Sequence, residues 1–224
     1  MNRLELRNEV RDNIKRDSTA FSDAKINTRL DWAQERIADI HTFEEMRTRD
    51  TFSTSDSVSN YSFPSRMKDI YSMTIQSNGS SKKLVYVPAR LFDQTVPNVD
   101  VAGTGLPGYY VDYGLNFDLY KVPNDVYTIK RRFSQYPRSL STDTMASDLV
   151  RKDKLIIAAA TAFGFWSIRE VEDAEYWNKE VFAFLLSEAI TTDHNAEDWV
   201  PVARGFSISG SVCGGNWLNP FGCG

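Results

Sequence analysis

"GTGLPGYYVDYG", residues 103–114, decides between two folds. Its Gly103-x-Gly105-x-x-Gly108 spacing is that of the dinucleotide-binding fingerprint. That fingerprint works only between a strand and the N-terminus of a helix, where free amides meet a pyrophosphate. Here Pro107 occupies a spacer position, and Tyr109-Tyr110-Val111-Asp112-Tyr113 follows, an aromatic and β-branched run that favours a strand. Asp125 lies at a plausible distance for a ribose-binding acid, but Pro123-Asn124-Asp125 reads as a turn. The stretch is therefore a Gly/Pro loop feeding β-structure, and no nucleotide cofactor is expected.

Outward from this loop the periodicity divides the chain. Strands are predicted at 109–113, 115–121 and 126–133, joined by turns at Gly114 and Pro123-Asn124-Asp125 into an antiparallel meander. Alternation puts Leu115, Phe117 and Leu119 on one face, and Tyr127, Ile129 and Phe133 on one face with Arg131. Upstream, Thr51–Thr54, Tyr61–Phe63, Ile70–Ile75 and Leu84–Val87 read as extended, and Arg90–Gln94 as a short helical turn.

The flanks have helical periods. Helix 1 spans about 3–16 and opens on Asn2 and Glu5 at capping-box spacing. Helix 2 starts at Ser22 or Asp23 and carries the stripe Ile26, Leu30, Ala33, Ile37, Ile40. Its opposite face, with Lys25, Arg29, Gln34, Glu35 and Arg36, is expected in water, and Trp32 lies off the stripe. Helix 3 runs from Ser147 or Asp148 to about Arg169, and Ile156–Ala160 is apolar on every side, so it needs packing partners all round, from the chain or from a neighbour. Helix 4, about 173–191, has the stripe Ala174, Trp177, Val181, Phe184. The predicted class is α+β: a four-helix bundle (1–48 and 139–193), a β-rich subdomain inserted between helices 2 and 3 (49–138), and an extended C-terminal arm (194–224).

Composition excludes several classes. Hydrophobic residues are 42% and charged residues 25% of the 224, a globular profile. A net charge of −4 gives no global pull towards nucleic acid or an anionic membrane. The longest apolar run, Ile156 to Trp166, is too short to span a bilayer, so no membrane partner is expected, and the first residues do not read as a signal peptide. Cys213 and Cys223 are the only cysteines, which speaks for synthesis in a reducing cytosol. They do not fill a zinc sphere, so no metal is expected.

No catalytic residue is assigned. His41 and His194 sit at helix ends without a nearby nucleophile and acid. Glu170, Glu172 and Asp173 at an interhelical bend read as a solvated turn with charges suited to a helix start. Lys130-Arg131-Arg132 is a basic run, a candidate contact for DNA or an acidic partner. Ile156, Ile157, Phe163 and Trp166 are candidates for subunit packing. The arm is rich in glycine yet carries Trp199, Phe206, Trp217, Leu218, Asn219, Pro220 and Phe221, large anchors that a plain disordered tail avoids. It reads as a segment that orders on a partner, with folding back on its own helices as the alternative.

Short elements in a fixed order carry a resemblance. They are Leu4-x-Leu6-Arg7-x-x-Val10, Ile26-Asn27-x-x-Leu30-x-x-Ala33-Gln34, Tyr61-x-Phe63-Pro64 with Lys68-Asp69-Ile70, and Lys83-Leu84-x-Tyr86-Val87-Pro88. Gly105-x-Pro107-x-Tyr109-Tyr110, Leu119-Tyr120-x-x-Pro123, Asp198-Trp199-x-Pro201 through Phe206, and Trp217-x-Asn219-Pro220-Phe221 continue the series. In this order they resemble the head-to-tail adaptor (connector, or head completion) proteins of tailed bacteriophages. The resemblance implies a structural, non-enzymatic virion subunit made in the host cytoplasm. It implies a ring of about twelve copies below the portal protein, around the channel for genomic DNA, with the C-terminal arm on the portal. A tail, nozzle or stopper protein would follow downstream. Alternatives are a nucleic-acid-binding module, another neck protein such as a stopper or tail terminator, or an enzyme with a site at His41 or the 170–173 bend. Ser209–Gly215 and Gly222–Gly224 depart from the family pattern.

Overall fold

A computed structural model describes residues 1–15, 21–77, 79–96 and 103–198. The chain is mixed α+β. Two helices open it, α1 (Arg3–Ile14) and α2 (Asp23–Ile40), followed by a 3-10 turn at Glu44–Met46. Then come β1 (Arg47–Ser53), β2 (Asn60–Ser62), β3 (Met67–Ser77), β4 (Ser80–Lys83) and β5 (Val85–Tyr86). After α3 (Ala89–Thr95) follow β6 (Tyr109–Asp112), β7 (Asn116–Tyr120) and β8 (Thr128–Gln135). The chain returns to helix in α4 (Asp153–Ser167), α5 (Val171–Tyr176), a π-helical stretch Trp177–Phe182 and α6 (Ala183–Asp198).

Local signals explain the helix starts only in part. The Asn2 side chain accepts from the Glu5 amide at 2.9 Å and the Glu5 carboxylate accepts from the Asn2 amide at 3.0 Å, a closed capping box. Helix 3 of the sequence reading starts later than expected, at Asp153. Ser147 and Asp148 do other work. The Ser147 hydroxyl donates to Gln34 Oε1 at 2.6 Å, and Asp148 binds the Arg138 side chain and amide. Gln34, expected in water, is therefore buried, while Ile40 at the end of the expected stripe is exposed.

The π-helical stretch corrects the expected stripe of helix 4. Ala174 is buried, but Phe184 is 66% exposed, and Phe182, Leu185, Leu186, Ala189 and Ile190 pack on the core instead. An i→i+5 turn accommodates about one extra residue, so every later position moves round the helix by one.

The helical core forms around α4. Leu155, Ile156 and Ala158–Ala160 meet Leu6, Val10 and Ile14 of α1 and Ile26, Leu30, Ala33 and Ile37 of α2 in one cluster. The all-round apolar run thus finds most of its partners within the chain. Small residues permit the close approach, and a Cβ at Gly164 would run into the Ile14 side chain.

The strands form two four-stranded sheets, β1-β8-β3-β4 and β2-β7-β6-β5. This corrects the predicted meander. β6 and β7 do pair antiparallel, but β8 leaves them and pairs with β1 and β3, so Pro123-Asn124-Asp125 is a crossover between sheets. The reason is burial: Ile129 needs a partner face, and leaving the β7 edge to β2 lets Phe117 and Leu119 meet it in a second apolar cluster with Met73, Ile75, Leu84 and Tyr110. Leu115, expected beside Phe117, is 85% exposed because it lies before the first paired residue of β7.

Polar contacts join the two clusters. The Lys68 ammonium donates to the Ala38 carbonyl at 2.5 Å and to Thr42 Oγ1 at 3.0 Å. It thereby neutralises the negative C-terminal end of α2. The Tyr136 hydroxyl donates to Asp39 at 2.9 Å, and Arg66 bonds the Tyr136 carbonyl at 2.9 Å and Asp148 at 3.3 Å.

Candidate interaction surfaces

The Gly103–Gly108 loop offers no phosphate cradle. The Gly105 amide donates to the Val122 carbonyl and the Gly108 amide to the Tyr120 carbonyl, both at 2.8 Å. The loop then enters β6 with no helix after it. Its amides are spent on the neighbouring strand, as the aromatic run implied.

His41 ends α2, and its Nε2 lies 2.7 Å from Asp193 Oδ2 of α6, with the ring edge-on to Phe43 at 4.6 Å. This pair ties the end of one helix to another. The His194 side chain, Trp199, Phe206, Cys213, Trp217, Leu218, Asn219, Pro220, Phe221 and Cys223 lie outside the described residues. Among the described residues no group of three or more His, Cys, Asp or Glu side chains is placed to hold a metal ion, and no helix is long and apolar enough to cross a membrane.

Of the residues assigned to subunit packing, Ile156 is fully buried in its own core and Ile157 packs against it, so Ile156 is withdrawn from that role. Phe163 and Trp166 emerge on the α2 side of α4. Phe163 meets Trp32 edge-on at 6.2 Å and Trp166 at 5.8 Å, and Trp32 is 47% exposed. Arg29 lies 4.2 Å over the Trp32 ring, and Arg36 stacks near Phe163 at 5.4 Å and Phe182 at 4.7 Å. Burial pushes both guanidinium pKa values down. Among the described residues Arg29 Nε and Arg36 Nη1 are buried without an acceptor, while Arg36 Nη2 donates to Asn178 Oδ1 at 2.7 Å. Tryptophan and arginine are the residues that dominate interface energetics, and an unmatched buried donor costs about 1–3 kcal/mol until an acceptor arrives. Trp32 was legible only as a residue off its stripe. Pairing it with Phe163 required the α2–α4 packing.

The basic run splits across its sheet. Arg131 faces inward, only 6% exposed: it donates to both Asp50 carboxylate oxygens at 2.9 and 2.6 Å and to the Ser62 carbonyl at 3.0 Å, and it stacks on Phe52 at 4.4 Å. It is therefore not available to DNA or to an acidic partner. Lys130 and Arg132 point to the outer face, where the β1–β8 register sets Arg49 directly opposite Arg132. Arg49 was missed in sequence. Alternation within Thr48–Phe52 places it with Thr51, but only the strand pairing brings it to Arg132.

A family model for the SU10 adaptor protein matches residues 1–201, a span that takes in every described residue. The chain belongs to the SU10 adaptor protein family. It is a family of phage head-to-tail adaptors, so this adaptor is a structural component of a virion, as the ordered short elements implied. The match ends at residue 201, so the resembling elements after Pro201 fall outside it. No curated protein matches the adaptor at a significant level.

Proposed function

We propose that this adaptor forms a closed ring of about twelve copies beneath the phage portal, around the path of the genomic DNA, and connects the capsid to a tail, nozzle or stopper protein. The observation that carries the reading is the adaptor family match across residues 1–201. In this reading each subunit is a helical bundle (1–48 and 139–193) with an inserted β-subdomain (49–138). The arm, expected from 194 but preceded by helix as far as Asp198, supplies Trp199, Phe206, Trp217, Leu218, Asn219, Pro220 and Phe221 to the portal. A closed ring needs two different faces of one subunit to meet. The half-exposed Trp32, Phe163 and Trp166 group, with two guanidinium donors lacking acceptors, supports one such face.

Deleting residues 207–224 is expected to leave the circular dichroism spectrum and melting temperature unchanged and to abolish co-sedimentation with purified portal rings. A truncated protein that co-sediments as well as the full chain overturns the role of the arm. Trp32→Ala with Trp166→Ala is expected to leave the isolated subunit folded and to prevent rings on the portal, as counted in electron micrographs.

A further inference from the structure

The outer face of the β1-β8-β3-β4 sheet carries cations that no acid among the described residues pairs with. The register gives two rows across the strands. One row is Thr51, Lys130, Thr74 and Lys83, and the other is Arg49, Arg132 and Ser72. Arg49, Lys130 and Arg132 are exposed, and none of the three has an acidic partner among the described residues. Asp50, the nearest acid in sequence, is turned to the inner face and held by Arg131. Between the rows lies a groove of about 630 Å³ bordered by Arg49, Thr51, Ser72, Thr74, Lys130 and Arg132, together with the mutually paired Asp50 and Arg131.

This composition is selective. Arg49 directly opposite Arg132 is a like-charge cross-strand pair, which by itself is unfavourable. An anion between them reverses the sign. Apart from the Asp50–Arg131 pair, the groove residues are cations and hydroxyls, with no aromatic or aliphatic anchor among them. Stable protein interfaces are built around buried apolar or aromatic anchors, whereas contacts to a nucleic-acid backbone are made by Arg, Lys, Ser and Thr reaching phosphate oxygens. The spacing also suits a polyanion. Cations lie about 5 Å apart across strands and about 7 Å apart along a strand, so three of them meet successive phosphates and not one isolated charge.

We propose that Arg49, Lys130 and Arg132, with the hydroxyls of Thr51, Ser72 and Thr74, form a sequence-independent binding surface for the phosphate backbone of double-stranded DNA. This rests on the adaptor reading for the presence of DNA, but not on ring formation or portal docking. Three charge contacts are weak in one subunit, so DNA is held lightly and can slide. Copies of the face on one ring add up, so the grip grows with the number of subunits engaged.

The test is fluorescence anisotropy of a labelled duplex of about 25 base pairs with the full-length adaptor, titrated between about 50 and 200 mM salt. Wild type is expected to bind, with a slope of log K against log salt of about −3, from about 0.9 per phosphate contact. The triple variant Arg49→Gln, Lys130→Gln, Arg132→Gln is expected to lose at least about tenfold at 50 mM salt and to flatten the slope towards zero. A control of equal charge change on other surfaces, Lys121→Gln, Arg151→Gln, Lys179→Gln, is expected to keep the wild-type slope. No binding by wild type at 50 mM salt, or equal loss in the control, overturns the proposal. So does a triple variant that binds DNA normally but fails to cross-link to a second copy, which would assign the face to an acidic protein surface. Ring formation on the portal is read separately by electron microscopy. Loss of rings with DNA binding intact sinks the ring reading alone, and rings without DNA binding sink this one alone.

Discussion

The helical cluster and the two-sheet cluster share large aliphatic side chains but differ in what else fills them. Around α4 the contacts run through Ala33, Ala38, Ala158–Ala160, Ala162, Ala174 and Gly164. Between the sheets they run through rings: Phe117 is fully buried and packs against Phe52, Tyr61 and Phe63 with centroids 6.0, 5.9 and 4.7 Å away. Helices carrying small residues approach to about 8 Å and leave little volume, whereas face-to-face sheets sit about 10 Å apart and need large side chains to fill the gap. The difference teaches where each part tolerates change. The helices fail by overfilling, the sheets fail by emptying, and the polar joint at Lys68 and Tyr136 sets how far one failure reaches the other.

The largest expected effect comes from emptying the sheets. Phe117→Ala should cost about 4 kcal/mol, because it removes the ring shared by three others and the two sheets cannot close the gap fully. Hydrogen exchange is expected to rise in β1–β8 and to stay slow in α4. Equal acceleration in α4 would merge the two clusters into one cooperative unit and break the comparison. Overfilling comes next. Gly164→Val should cost about 2–3 kcal/mol in urea unfolding, since the new side chain lands on Ile14 and Phe21. An unchanged midpoint would mean that α1 moves aside freely.

A smaller effect is expected at the joint. Lys68→Met removes a charged donor from the Ala38 carbonyl and Thr42, at a cost of about 1.5 kcal/mol. It should also separate the melting of the helices from that of the sheets, which calorimetry would show as two transitions in place of one. The smallest effects are in pH. At Asp148, burial pushes the carboxyl pKa up, but the Arg138 side-chain and amide hydrogen bonds outweigh it and hold it below the ordinary value. At Asp143 the Arg3 hydrogen bond lowers it, with Arg7 adding to the effect. Both contributions to stability are present above about pH 4 and are lost as pH falls through the depressed folded values. Tyr113 behaves in the opposite sense. Burial and then the Asp93 hydrogen bond raise its pKa to about 12, so its contribution is constant below about pH 10 and is lost between there and pH 12. Tyr113→Phe is expected to shrink the alkaline step of a melting-temperature profile, to which the raised pKa values of Tyr61, Tyr110 and Tyr136 also contribute, while leaving the acid limb unchanged.

Residues close in sequence were read correctly where their partners were also close. The capping box at Asn2 and Glu5, most of the stripe of α2 and the short helix after Pro88 depend on neighbours within a turn. The rejection of a nucleotide loop at Gly103–Gly108 rested on the same kind of local fact, a strand-forming run where a helix was required. Errors arose where a distant element took a residue over or where a local irregularity broke the helical period. Gln34 looked like a surface residue until Ser147 reached it, and Phe184 sat on a clean stripe until the π-helical turn shifted the face. The basic run is the sharpest case. Alternation separated Arg131 from Lys130 and Arg132, but nothing local paired Arg131 with Asp50 or set Arg49 beside Arg132.

The sequence by itself thus determined the α+β class, the order of the helical and β segments, the reading of residues 103–114 as a loop that enters a strand, and the family. These follow from backbone propensity, periods of 3.6 and 2, and ordered short elements, all written locally in the chain. Only the tertiary structure decided which sheet each strand joins, which face of helix 171–198 is buried and which cations stand together in the open. Those choices compare burial energies of alternative pairings between residues far apart in the chain, and no local pattern contains that comparison.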